Sequence, residues 1–178
     1  KIGDGTNFSC DRRGNWYLNI VIEVPEASAR LDHRAVGIDL GLKNLVTLST
    51  GEKIENPRHW ATLESQLATA QRARKLGQAR HIHARICNAR RDFLHKLSNR
   101  IVREFDEIAV GNVTAAGLAT TSMAKSVLDA GWSSFSEMLA YKAVKHGARY
   151  EEVGERFSTQ VCSACGAHIG RRAPAACP

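Results

Sequence analysis

The segment AVGIDLG (Ala35–Gly41) is followed, two residues later, by NLVTLST (Asn44–Thr50). Both segments are rich in β-branched and apolar residues, and the first ends its apolar run at Asp39, so both are predicted to be strands. The short connection between them, and the segment EKIEN (Glu52–Asn56) after Gly51, predict a hairpin that continues into a third strand. This stretch therefore predicts consecutive antiparallel strands of one sheet.

The next region, from Trp60 to Phe105, has the spacing of helices. Its apolar residues recur every three to four positions, which is the period of an amphipathic helix. We predict a shorter helix over Ala61–Lys75 and a longer one after Gly77, which together form an antiparallel helical hairpin. The apolar series of the longer helix is Ile82, Ile86, Phe93, Leu97, Ile101 and Phe105.

The remaining segments complete an alternating order of strands and helices. We predict strands at Asn15–Val24, Asp106–Val113 and Arg149–Val153, and a helix at Ala124–Gly147 that ends near its glycine. The resulting order, β-β-β-β-α-β-α-β, predicts an α/β fold on a mixed sheet. RNase H-like nucleases share this order of elements.

Composition excludes several classes of protein. The chain has 178 residues, of which 43% are hydrophobic and 24% charged, as expected for one globular domain with an appendage. It has no apolar run of about 18 residues, which argues against a membrane span, and no signal-peptide pattern. Its five cysteines do not form a disulfide framework, so we predict a cytoplasmic protein. Because it starts at Lys1, we expect a fragment.

Positive charge is concentrated in the helical region. Between Arg72 and Arg103 there are ten Lys and Arg residues and one acid, Asp92, so this segment carries more positive charge than the +7 of the whole chain. Such segregation predicts a polyanionic partner, and the alternative is a solvated helix face. The candidate nucleic-acid-binding residues are Arg72, Arg74, Lys75, Arg80, Arg85, Arg90, Arg91, Lys96, Arg100 and Arg103.

Asp39 is the principal catalytic candidate. It lies at the end of an apolar strand between Gly37 and Gly41, glycines that allow a ligand to approach the backbone closely. A carboxylate in this position suits Mg²⁺, which prefers oxygen ligands. One alternative is that Asp39 caps a turn. Another is an actin-like ATPase or sugar kinase, but the later Gly-rich phosphate loop of that fold is missing.

Cys162 and Cys165 form a C-x-x-C pair, which is half of a structural Zn²⁺ site. His168 and Cys177 are the residues that could complete the four ligands. The tail has no second C-x-x-C, so the alternatives are an incomplete zinc ribbon or two free thiols.

Four segments, in this order and spacing, resemble the C-terminal half of the TnpB (OrfB) proteins of insertion sequences, which are related to type V CRISPR effectors. The resemblance covers nearly the whole chain. The segments are VGIDLGLKNLVTLSTGEKIENP, RRDFLHKLSNRIVREFDEIAV, KSVLDAGWSSFSEMLAYKAVKHG and FSTQVCSACG.

The resemblance implies a RuvC-like, RNase H-fold nuclease domain whose partners are DNA and a guide RNA, in a prokaryotic, nucleoid-associated protein. It implies the end of a wedge-like β-domain at 1–30, the RuvC-like domain at 34–157 with basic helices at 61–105, and a truncated zinc ribbon at 158–178. The helices would line the channel that holds the RNA–DNA heteroduplex by its shape and backbone. We expect His81, His83 and His95 to be neutral space-filling residues or minor phosphate contacts rather than metal ligands. We expect Trp132 and Phe135 to be core residues rather than platforms for base stacking.

In this family three carboxylates hold two Mg²⁺ ions for DNA cleavage. The first corresponds to Asp39, whereas Gly111 stands where the family has a Glu, and the chain ends before the position of the third. Glu107 has the strand parity of Gly111 but lies about 13 Å away, and Asp106 points to the opposite face. We therefore expect a catalytically degenerate transposase that still binds nucleic acid. The alternatives are a nuclease-dead repressor and an enzyme completed by other residues.

Overall fold

The computed structural model describes residues 4–24, 27–30, 33–112 and 129–154. A two-stranded sheet consists of β1 (Asn7–Cys10) and β2 (Trp16–Asn19). A five-stranded sheet follows, with three helices in the described ranges. Its strands are β3 (Ala35–Leu40), β4 (Asn44–Leu48), β5 (Lys53–Glu55), β6 (Glu107–Gly111) and β7 (Arg149–Val153), and the helices are α1 (His59–Arg72), α2 (Leu76–Glu104) and α3 (Trp132–His146).

The five-stranded sheet is mixed, as the sequence predicted. Its strand order is β5-β4-β3-β6-β7. The pairs β3–β4 and β4–β5 are antiparallel, whereas β3–β6 and β6–β7 are parallel. The parallel strands are reached through the helices, as a parallel connection requires.

Alternation along β3 decides which face of the sheet forms the core. Val36, Ile38 and Leu40 are buried against the helices, while Gly37 and Asp39 occupy the other face. Helices α2 and α3 cover the buried face, and the sequence expectation that Trp132 and Phe135 are core residues is confirmed, because they are 4% and 0% exposed. The same cluster contains Leu45, Val46 and Leu48 of β4, Leu94, Leu97, Ile101 and Val102 of α2, Ile108 and Val110 of β6, and Leu139 of α3.

Helices α1 and α2 form the predicted hairpin around a second, smaller cluster. This cluster contains Leu67, Ala70, Ala79, Ile82 and Ile86. No helix in the described ranges is both long and apolar enough to cross a bilayer.

The predicted break between the two helices at Gly77 is wrong. Gly77 lies inside α2, and α1 ends at Arg72. The reversal occurs at Arg74, which adopts a left-handed conformation with φ of 52°, the geometry that commonly ends a helix. Lys75 then donates its N–H to the Ala70 carbonyl at 2.9 Å. A non-glycine residue therefore makes the turn, which is why composition pointed to the wrong position.

The predicted strand Asn15–Val24 is too long, because β2 spans only Trp16–Asn19. It pairs with β1, which the sequence analysis did not predict. The connection is held by the Asp11 carboxylate, which accepts hydrogen bonds from the backbone N–H groups of Arg13 (2.8 Å) and Asn15 (3.0 Å). Hydrogen bonds from Asn15 lower the pKa of Asp11 well below its usual range. An Asp-centred turn of this kind is a local signal for a hairpin.

Gly147 ends α3, as predicted, and also permits a close backbone contact. Its φ is 68°, and a Cβ at this position would overlap the carbonyl oxygen of Ser28. The carbonyl of Gly147 accepts a hydrogen bond from the N–H of Arg30 at 3.0 Å. The segment before β3 is therefore attached to the end of α3 through a contact that only glycine allows.

Gly147→Ala is expected to lower the free energy of unfolding by about 2–4 kcal/mol, because it adds both left-handed strain and a backbone overlap. The matched control is Gly77→Ala, where an added Cβ meets nothing within 4 Å. That change should raise the stability by about 0.5–1 kcal/mol, since alanine is the better helix former. Urea denaturation followed by circular dichroism measures both. Equal effects of the two changes would contradict this account of Gly147.

Candidate functional site

Asp39 lies on the open face of the sheet, near the C-terminal end of β3. Its partner on β4 is Thr47. On the other side, Gly37 pairs with Ala109 and Ile38 with Val110, so the next residues in register, Asp39 and Gly111, lie side by side. Both line one cavity of about 420 Å³. The side chain of Asp39 is exposed, and the part of the chain that the structure describes offers it no hydrogen bond or ion pair.

This geometry shows what is missing from the site. Neighbouring strands are about 4.8 Å apart, so a carboxylate at position 111 would approach the carboxylate of Asp39 closely enough to share a metal ion. Gly111 provides no side chain, and the other polar groups of this cavity are the hydroxyls of Thr47 and Ser49. Within residues 4–24, 27–30, 33–112 and 129–154, no three His, Cys, Asp or Glu side chains lie close enough to hold a metal ion. The described residues therefore do not fit a two-metal Mg²⁺ centre.

Two further carboxylates, one on the first residue of β6 and one on the residue before it, lie away from Asp39. Glu107 pairs with Ala35 and Arg149, at the opposite end of the strands. Asp106 is 3% exposed, and its Oδ1 lies 2.7 Å from Nε of Arg30 in an ion pair. Neither residue can take the place of a carboxylate at position 111.

The two glycines beside Asp39 have different explanations. A Cβ on Gly41 would lie 2.8 Å from the carbonyl oxygen of Asn44, so the tight β3–β4 turn accounts for this glycine without a ligand. A Cβ on Gly37 would meet only the side chain of Ser49, at 3.6 Å. Only Gly37 therefore leaves open space on the face that carries Asp39.

The predicted zinc ligands lie outside the described residues. These are Cys162 and Cys165, together with His168 and Cys177. The Zn²⁺ half-site therefore stays a prediction. Cys10 and Cys87 are free and exposed.

The ten basic residues are arranged on the hairpin of α1 and α2, and all but Arg90 are exposed. At about 100° per residue, positions 85, 96 and 103 fall within about 20° of one another on α2. Arg85, Lys96 and Arg103 therefore form a first basic stripe. Positions 80 and 91 fall within about 20° of each other and about 120–140° from position 85, so Arg80 and Arg91 form a second basic stripe.

Two residues of this surface form exposed ion pairs. Lys96 lies 2.7 Å from Asp92, and Arg100 lies 2.9 Å from Glu52. Exposed pairs of this kind contribute about 0–1 kcal/mol, so a phosphate could replace either carboxylate at little cost.

Arg90 has a structural role instead. It is partly buried, and its Nη1 lies 3.9 Å from Oδ1 of Asp129. Asp129 is 9% exposed and accepts the N–H of Trp60 on both carboxylate oxygens, each at 3.1 Å. The N-cap residue of α1, Arg58, forms no side-chain cap hydrogen bond of its own. Asp129 thus caps α1 from a distant part of the chain and holds Arg90 beside it.

Asp129 escaped the sequence analysis because a cap normally lies next to the helix it caps. Here the two residues are 69 positions apart. No local pattern predicts such a contact, which depends on how α3 packs against the helical hairpin.

The three histidines considered in the sequence analysis lie in different environments. His81 is exposed, and the ring of His83 packs against Trp60 with centroids 5.5 Å apart. Burial, followed by the charges of Lys142 and Arg91, lowers the pKa of His95, which favours the neutral imidazole. Lys142 is buried at the α2–α3 contact, where it donates to the His95 carbonyl at 2.8 Å and to Ser98 Oγ at 2.7 Å.

Comparisons with known proteins agree with this architecture. Residues 19–122 match the model of the OrfB family of IS605 elements, described as a probable transposase, and residues 132–178 match the Cas12f1-like TNB domain. The chain is 38% identical to a "Putative RNA-guided DNA endonuclease" of Streptomyces pristinaespiralis, over 92% of this chain and 44% of the relative. It is 28% identical to InsQ of Escherichia coli (strain K12), a protein of the same description, over 86% of this chain and 45% of the relative.

A solved structure shows the same fold. The protein in a complex of Cas12f1 with sgRNA and target DNA superposes with a TM-score of 0.54, at 14% identity, over 86% of this chain and 43% of that one. The chain spans less than half the length of the curated relatives it matches. The match to the family model covers more than half of the chain, and the chain therefore belongs to the OrfB (TnpB) family of transposon-encoded proteins related to RNA-guided DNA endonucleases.

Proposed function

We propose that this chain is the RuvC-like, RNase H-fold part of a TnpB-type RNA-guided DNA-binding protein that acts at the nucleoid. The sheet supports this proposal, because three antiparallel strands are followed by two parallel ones in the order β5-β4-β3-β6-β7, an order that RNase H-like nucleases share. The match of residues 132–178 to a TNB domain supports a zinc ribbon at 158–178, with Cys162 and Cys165 as Zn²⁺ ligands. Residues 1–30 would belong to a wedge-like domain.

The observation that carries the proposal is the segregated charge on the basic helical hairpin. Five of its exposed cations form two stripes along the 29-residue α2, which is about 43 Å long at 1.5 Å per residue. A surface of this length and charge fits phosphates of DNA or of a guide RNA without reading bases.

The proposal is tested by measuring the affinity for labelled duplex DNA at increasing salt concentrations. The unchanged protein is compared with a variant in which basic residues of the hairpin are replaced by glutamate. Counterion release makes the affinity fall steeply as salt rises. An affinity that salt does not change would contradict the proposal.

We also propose that the catalytic edge is degenerate. Two-metal cleavage requires several carboxylates around the ions, and Asp39 faces Gly111 where the second is required. Because Asp39 is the one carboxylate among the described residues that line its cavity, Asp39 would be a remnant of an Mg²⁺ site.

A second candidate function is a nuclease-dead protein that represses genes by occupying guided targets. The combination of Gly111 with the exposed basic residues of α1 and α2 favours it, since binding would persist without cutting. Repression of a reporter carrying the guided target, unaffected by Asp39→Ala, is the expected result. Repression that requires Asp39 would count against this candidate.

A further inference from the structure

Tyr141 is the one aromatic side chain (Phe, Tyr or Trp) exposed on the described part of the five-stranded sheet and its helices. It is 52% exposed, whereas Phe105, Trp132 and Phe135 are buried. Its ring lies at the contact between α3 and α2, with its hydroxyl 3.5 Å from Nδ1 of His95. The ammonium of the buried Lys142 lies 5.9 Å from the ring centroid. The ring is therefore supported by both helices and remains half open to solvent.

Cations flank this ring on both helices. Arg91 precedes His95 by four residues on α2, and Lys145 follows Tyr141 by four residues on α3, so each lies one turn from the Tyr141–His95 contact. Both are exposed, and neither forms an ion pair in the described ranges. Two acidic residues also lie near this contact. On α2, Asp92 is paired with Lys96 at 2.7 Å, and on α3, Glu137 lies one turn before Tyr141.

An exposed ring between cations has the chemistry of a single-strand contact. Every base offers a π face for stacking on an aromatic ring, while Arg and Lys bind the adjoining phosphates. A duplex hides its base faces, so the ring would contribute only to binding of a single strand. Val144, which is 65% exposed and lies one turn after Tyr141, provides no hydrogen-bond partner for a 2′-hydroxyl, the group by which proteins recognise RNA.

We propose that Tyr141, Arg91 and Lys145 form a binding surface for single-stranded DNA, with a base stacked on the ring and its flanking phosphates on the two cations. This surface rests on the proposed nucleic-acid binding of the chain and adds a contact for an unpaired strand. It shares Arg91 with the second basic stripe.

Tyr141→Ala is expected to weaken binding of an oligothymidylate of about 12 nucleotides by about tenfold, because stacking contributes about 1–3 kcal/mol per base. Tyr141→Phe keeps the ring and should stay within about twofold of the unchanged protein. The control Tyr17→Ala removes another exposed tyrosine, 46% exposed, and should have no effect. Fluorescence anisotropy with labelled strands measures the affinities, and thermal unfolding checks that each variant is folded.

Comparing the affinities for single-stranded DNA, duplex DNA and single-stranded RNA distinguishes failure of the Tyr141 surface from failure of the proposed function. Duplex binding should be the same for Tyr141→Ala and the unchanged protein. Equal single-strand affinity in those two proteins would overturn the Tyr141 surface and leave the proposed function intact, whereas absence of duplex binding by the unchanged protein would overturn the proposed function itself. An oligouridylate that binds as tightly as oligothymidylate, and is weakened equally by Tyr141→Ala, would overturn the assignment to DNA.

Discussion

The double change Arg85→Glu and Arg91→Glu is expected to weaken binding of duplex DNA by about a hundredfold or more at physiological salt. Each reversal removes a phosphate contact and places a carboxylate where a phosphate would lie. The slope of log affinity against log salt should fall by about two, since each lost phosphate contact removes about 0.9 from it. Anisotropy titrations at several salt concentrations measure both quantities.

The structure determines which residues to change in this test. The sequence also suggested Arg90, but a glutamate there would face the buried Asp129 and destabilise the start of α1. The matched control is Arg12→Glu with Lys53→Glu, which changes the net charge equally at exposed positions outside α1 and α2. If the control weakens binding as much as the test variant does, the basic helical hairpin is not the binding surface.

Gly111→Glu is expected to create a divalent-cation site beside Asp39. The two residues lie on neighbouring parallel strands and on one face of the sheet, so their carboxylates could share one ion. With Mn²⁺ as the probe, we expect affinity to rise by about tenfold or more, because one or two carboxylates suffice to hold a hexa-coordinate ion with water. Calorimetry measures the change, and Asp39→Asn in the same background should remove it.

The matched control for this variant is Ala109→Glu. Ala109 lies on the same strand and face but pairs with Gly37, about 6.6 Å further from the Asp39 end. Equal Mn²⁺ affinity in the two glutamate variants would show that added charge, rather than proximity to Asp39, is responsible.

Local patterns predicted much of this fold. The strands β3, β4 and β5 follow from their apolar runs and short connections, and β7 has the predicted bounds. Errors occurred where the local signal was weak. Arg74 reverses the chain without glycine, and β1 is a short segment whose pairing depends on the Asp11 turn.

Local patterns also predicted part of the candidate site. Asp39 stands at the end of an apolar strand, and its relation to Gly111 follows from parallel pairing of β3 and β6. The Asp129 cap and the surface around Tyr141 could not be predicted, because the first joins residues 69 positions apart and the second depends on the packing of α3 against α2. Contacts between distant elements have no periodic signal in the sequence.

The central claim is that this chain binds nucleic acid with a degenerate catalytic edge. Mg²⁺-dependent cutting of target DNA by the protein, supplied with the guide RNA that the proposed function requires, tests it most directly, and the Asp39→Ala variant gives the background rate. The account predicts that the unchanged protein, with Gly111, binds the target DNA but cuts it no faster than the Asp39→Ala variant does. Cutting by the Gly111 protein that Asp39→Ala abolishes would contradict it.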